Sequence, residues 1–266
     1  MSRRKSLYLL ILCVSLGCSV RRSQGLPDYD QVVRGQLIFN SDFNLPRRHR
    51  LLEELHARRD DISDRLLIPT SDEPINIFLF QDKGRFDEYM AAHHPNFPSR
   101  RAFFVKNDTE LNVYAYWGEQ VGEDLRHELT HGYLHSVIPN LPLWLDEGLA
   151  EYFEVSRGHH GLNRQHIYHL VTEHRAGNWE PDLLRLEALR NAAGMTQLDY
   201  AESWLWTHYL LQSNSDNLKM VQDKLARLRM TGESEPVSSQ LISKQSEEVE
   251  LNALILDHLA HLVEQL

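Results

Sequence analysis

The chain is 266 residues long, 42% hydrophobic and 25% charged, an ordinary globular composition that fits one domain with a real core or two small ones. Its formal net charge is −10 and it carries no basic face or arm, which argues against nucleic acid as a partner.

The N-terminal segment reads differently from the rest. "MSRRKSLYLLILCVSLGCS" begins with Arg3, Arg4 and Lys5 and continues as an apolar run from Leu7 to Gly17. That run is short for a membrane span, so residues 1–25 read as a signal peptide. "SLGC", ending at Cys18, has the form of a lipobox with Ser15 in place of the usual aliphatic residue. Membrane attachment through a lipidated Cys18 is one expectation, and cleavage after Gly25 the other. Either way the protein is expected to be exported: periplasmic, a cell-envelope lipoprotein, or secreted. Both cysteines, Cys13 and Cys18, lie here, so no intrachain disulfide is expected in the fold. Loss of the three basic residues takes the net charge from −10 to −13.

Residues 26–44 read as a linker or pro-region. From Leu45 to Leu67 the spacing of Leu51, Leu52, Leu55 and Ile62 predicts a helix. "INIFLF" (Ile75 to Phe80) predicts a strand, and "DKGRFDEYMAAHH" a short helix ending before Pro95. "RAFFVKNDTELNVYAYW" predicts a hairpin with strands at 101–105 and 111–117. A helix over about 123–138 follows, then a reversal between Pro139 and Pro142, then a second helix, "LWLDEGLAEYFE". Beyond Gly161 the pattern is helical at about 162–176, 182–193, 198–213, 216–229 and 246–265, with "TGESEPVSS" as a flexible joint. The expected fold class is α+β: a small N-terminal sheet, a motif helix, and a mainly helical C-terminal half. The expected division is a domain over 45–230 and a joint with terminal helix over 231–266.

The chemistry concentrates in "DLRHELTHGYLH", Asp124 to His135. His127 and His131 stand at i and i+4, so both imidazoles lie on one helix face, close enough to hold one ion. Two histidines and one further ligand suit zinc and leave a position open for water. Glu128 projects beside that position, where it can take a proton from the water. This is the HExxH arrangement of zinc peptidases. With 15 histidines in the chain, composition alone yields such a pattern in roughly one chain in fifteen, so its setting matters. It lies in a predicted helix after a predicted strand, with Leu125, Leu129, Leu134 and Ile138 available for the buried side.

The third ligand must come from elsewhere. His135 is eight residues from His127, about 12 Å along the helix, too far to share an ion. A metzincin would need Gly at 134 and His at 137, where this chain has Leu134 and Val137. The Pro139–Pro142 reversal would bring Glu147 back beside the motif helix and complete a His₂Glu site.

"HELTH" followed by "LPLWLDEGLAEYFE" resembles the gluzincin peptidases, most closely the peptidase-MA-like group of exported bacterial proteins. The resemblance covers about 120–160 and, more loosely, the helices to about 213. It implies one zinc ion per chain held by His127, His131 and Glu147, with Glu128 as general base, and a peptide or protein substrate. It also implies Glu151 as the acid hydrogen-bonded to the far nitrogen of the first histidine, leaving Asp146 and Glu154 as surface residues. For the oxyanion, "DYAESWLWTHYLL" offers Tyr200, His208 and Tyr209; the resemblance favours Tyr200, with His208 in reserve. The Gly-x-Met-Glu-Asn segment of gluzincin aminopeptidases is absent, so exopeptidase activity is not expected. "LNVYAYW" is a candidate edge for an extended peptide, through Val113 and Tyr114. The alternatives are a zinc-binding protein without catalysis and a helical cell-envelope binding protein.

Overall fold

A computed structural model describes residues 25–244 and 251–266. The expected signal peptide, Gly25 apart, and the expected lipidation of Cys18 lie outside the described residues. No helix among the described residues is long and apolar enough to cross a membrane.

The architecture is α+β, as the sequence predicts. Strands β1 (Asp30–Arg34), β2 (Leu37–Ser41), β3 (Ile75–Phe80), β4 (Ala102–Lys106) and β5 (Leu111–Tyr116) form one sheet in the order β1-β2-β3-β5-β4. β1–β2 and β4–β5 pair antiparallel, and β2–β3 and β3–β5 parallel. Helix α1 (Arg50–Leu66) joins β2 to β3, and α2 (Lys83–His93) leads from β3 to β4. Strand alternation divides the packing. Leu37 and Phe39 of β2, Ile75, Ile77 and Leu79 of β3, and Leu111, Val113 and Ala115 of β5 enter the main core. Phe80, Phe103 and Tyr114 point the other way and pack with Phe86, Tyr89 and Met90 of α2.

Two expectations about the sheet are corrected here. Residues 26–44 are not a linker: they contain β1 and β2, and Leu37 and Phe39 are fully buried. β5 is not the edge strand either. It lies between β3 and β4, with Val113 in the core and Tyr114 stacked on Phe78 and Tyr89. The free edge on that side is β4.

The motif helix α3 (Val121–His135) packs against β4, β5 and α1, with Leu125, Leu129, Leu134 and, just beyond it, Ile138 all fully buried. Glu123 and Asp124 in its first turn and His135 in its last suit the helix dipole. After the proline-flanked reversal, α4 (Leu143–Glu154) returns alongside α3, and every residue from Trp144 to Phe153 is buried. The cover on its other side is α7 (Gln197–Gln212), which starts at a capping box between Thr196 and Asp199. Trp204 and Trp206, which cannot share a helix face, are both fully buried because α7 is enclosed on nearly every side.

The remaining helices are α5 (Arg164–Arg175), α6 (Leu183–Ala188), α8 (Ser215–Thr231), α9 (Val237–Lys244) and α10 (Leu251–Val263). The helix expected over 182–193 is broken: α6 ends at extended Leu189, and Asn191 then caps a single 3-10 turn at Ala192–Gly194. The expected flexible joint at 231–239 is pinned. Lys224 donates to the Ser234 hydroxyl and the Glu235 carbonyl, while Glu187 accepts from the backbone N–H groups of Val237 and Ser238. One core cluster runs from Val32 to Leu262, joining the hairpin and the terminal helix to the rest.

Candidate metal centre

Three side chains from α3 and α4 converge. His127 Nε2 and His131 Nε2 lie 3.3 Å apart, and each is 3.6 Å from Glu147 Oε2. A tetrahedral zinc ion with bonds near 2.0–2.1 Å would set its ligand atoms ~3.4 Å apart, so this triangle has the right size. Glu147 Oε2 is buried and accepts no hydrogen bond among the described residues. A buried, unpartnered carboxylate oxygen facing two imidazole nitrogens calls for a cation. His127, His131 and Glu147 can therefore hold a metal ion.

The far nitrogens fix the orientation. His127 Nδ1–H donates to Glu154 Oε2 at 3.0 Å, and His131 Nδ1–H donates to Asp146 Oδ1 at 2.9 Å. In the neutral imidazole each carboxylate selects the tautomer whose Nε2 lone pair faces the centre, and it makes that nitrogen a stronger donor to a metal. Asp146 Oδ2 also accepts from His135 Nε2 at 2.9 Å, and the ring of Phe104 on β4 stacks over His131 and His135.

This differs from the sequence reading in three ways. Glu154, not Glu151, holds the first histidine; Glu151 accepts from His166 Nε2 on α5 at 2.7 Å. Asp146 is buried rather than on the surface, and Glu154 is largely so. His208 is not at the centre: it faces His258 on α10 at 3.1 Å and packs against Tyr152 and Trp204. Asp146 and Glu154 are the functional residues that sequence reasoning missed.

The electrostatics follow from the crowding of carboxylates. Burial pulls the histidines toward the neutral form, but the carboxylates override it: Asp146 and Glu147 push His131 up to about 10, and Glu147 and Glu154 hold His127 well above its ordinary value. Burial would raise Glu147, yet its two histidines hold it at about 2. Glu128 is the exception. Burial raises its carboxyl, against the opposing pull of His127 and His131, while the Phe104 backbone N–H favours its charged form. A carboxylate displaced toward neutrality beside a metal-ligand triangle is suited to proton transfer.

The centre opens into two cavities. One of about 370 Å³ is polar, with Arg100, Arg101, Glu123, Asp124, Glu154 and Tyr200 on its walls. The other, of about 510 Å³, is lined by Phe97, Pro98, Phe103, Phe104, Leu143 and the Ala192–Ala193 turn. His127, Glu128 and Arg100 border both. Tyr200 is buried at the start of α7, and its hydroxyl accepts from Arg100 Nη2 at 2.7 Å.

Residues 124–231 match the family model described as "Protein of unknown function (DUF1570)". The match begins within α3 and takes in both histidines, Glu147 and Tyr200. No curated protein matches the chain.

Proposed function

We propose that this protein is a zinc metallopeptidase that acts outside the cytoplasm. The single observation that carries the reading is the His127–His131–Glu147 triangle with Glu128 beside it in an open cleft. A structural zinc site needs four protein ligands and no base; this one has three and a free carboxylate. The export component rests on the N-terminal sequence alone.

A bound zinc ion would supply Lewis-acid polarisation of the scissile carbonyl and acidification of a water. The chain's own residues do the rest. Glu128 receives the proton of the attacking water and delivers it to the departing amine. Tyr200, at the border of the polar cavity, can donate its hydroxyl hydrogen to the oxyanion, because its oxygen already accepts from Arg100. β4, the free edge, can bind an extended peptide by strand addition, with Phe104 beneath it.

The test is metal content and turnover together. Elemental analysis is expected to return about one zinc per chain, greatly reduced in Glu147→Ala, as a His₂Glu site requires. Glu128→Gln is expected to keep the metal and lose turnover of peptide substrates. Metal-free protein that takes up none on titration, or full activity in Glu128→Gln, would refute the reading.

A further inference from the structure

Two adjacent arginines precede β4 and have opposite surroundings. Arg101 is matched: it donates to Asp124 at 2.8 Å and to Glu123 at 3.0 Å. Arg100 is not. Among the described residues its one hydrogen-bond partner is the neutral phenol of Tyr200, whose ring also lies under the guanidinium at 5.5 Å. Of the acids around it, Glu154 bonds His127, Glu151 bonds His166 and Glu147 faces the two histidines, while Glu128, whose charge favours the guanidinium, makes no hydrogen bond or ion pair with it among the described residues. Arg100 thus stands exposed where both cavities meet, oriented by Tyr200, with most of its five donors free.

We infer that Arg100 is a specificity residue that binds a carboxylate of the substrate peptide, either an acidic side chain or a free C-terminus. A guanidinium fork takes a carboxylate through two parallel hydrogen bonds, which a phenol cannot offer in return. The surrounding net charge makes the assignment sharper. In so acidic a protein, an anionic ligand needs a fixed cation to enter the cleft, and Arg100 is the cation that borders both arms without a carboxylate partner among the described residues. This inference rests on the cleft being a peptide site, but not on turnover.

The experiment uses the Glu128→Gln chain loaded with zinc, so that peptides bind without being cut. Acetylated peptides of alanine and leucine are titrated calorimetrically in matched pairs: glutamate against glutamine at one position, and free against amidated C-terminus. At least one acidic member is expected to bind about tenfold tighter than its amide partner, the scale of one hydrogen bond to a charged group. Adding Arg100→Gln is expected to abolish that difference, and adding Arg100→Lys to keep part of it. The pair that discriminates identifies the source of the carboxylate. Zinc content and denaturation midpoint of both variants check that the fold is intact. Equal affinity within every pair, or a preference that survives Arg100→Gln, overturns the inference. A wild-type chain that cuts no peptide while its Glu128→Gln form still prefers acids would instead count against the peptidase reading alone.

Discussion

Asp146 holds His131 with one carboxylate oxygen and His135 with the other, at 2.9 Å each. His135 cannot reach the ion, yet it limits how Asp146 can turn, and so how His131 is presented. Replacement by phenylalanine keeps a ring beside Phe104 but removes the hydrogen bond. His135→Phe is expected to weaken zinc binding several-fold, less than the roughly 10–100-fold expected for Asp146→Ala. Competition titration with a chromophoric chelator measures both.

Glu154 and Glu151 make separable predictions. Glu154→Gln should cost about tenfold or more in zinc affinity, because it weakens the acceptor that orients His127. Glu151→Gln should reduce zinc affinity less, because Glu151 reaches His127 by charge and through Glu154 rather than by a hydrogen bond of its own, and should lower the denaturation midpoint by weakening the bond to His166 on α5. Equal losses of zinc affinity in the two variants would contradict this division.

The His208–His258 contact predicts acid sensitivity remote from the metal centre. Burial, reinforced by the charges of His258 and Arg65, pushes His208 down to about 3, and burial, reinforced by His261, pushes His258 down to about 4, from an ordinary 6.5. The folded state therefore binds fewer protons than the unfolded state below pH ~6.5. Their contribution to stability is complete above that pH and is lost progressively as pH falls toward 3–4. Urea denaturation at pH 7 and pH 5 should show a drop in midpoint, smaller in His208→Phe than in wild type.

The β1–β2 hairpin yields a prediction about truncation. If residues 26–44 were an inhibitory pro-segment, deleting them would raise activity. As two strands of the sheet, they bury Val32, Leu37 and Phe39, worth about 1.5–3 kcal/mol each. Deletion would also strip β3 of a neighbour. The truncated chain is expected to be insoluble or strongly destabilised, as solubility and denaturation measurements would show.

What the sequence disclosed followed signal strength. β3 is a run of six residues rich in β-formers, and its bounds are those read from the sequence. β1 and β2 are five residues each, joined by a tight turn, and only in the folded sheet does the burial of Leu37 and Phe39 become apparent. The two histidines were legible because their spacing alone puts them on one face. The partners of their far nitrogens were not, since α4 carries four acids and only its packing phase decides which point where. A signal was nevertheless present. Glu154 is seven residues from Glu147, within about 20° of its direction, whereas the four-residue step to Glu151 rotates away by about 40°. The return direction of α4 matters too: its early residues meet the late residues of α3, so Asp146 finds His131 and Glu154 finds His127. The Ala192–Ala193 wall of the apolar cavity was hidden because the helical pattern ran on past Leu189.

Gly148 follows Glu147 at the place where α4 crosses α7. A single methyl group there would strike the Ser203 carbonyl and the Thr207 hydroxyl. The spacing of the two helices is thus gauged by a missing side chain, and the reach of Glu147 toward the histidines is set by that gauge. Gly148→Ala should weaken zinc binding with every donor atom still in the chain. A relative with the same histidines and glutamate, but a bulky residue next in line, would carry the letters of this centre without its dimensions.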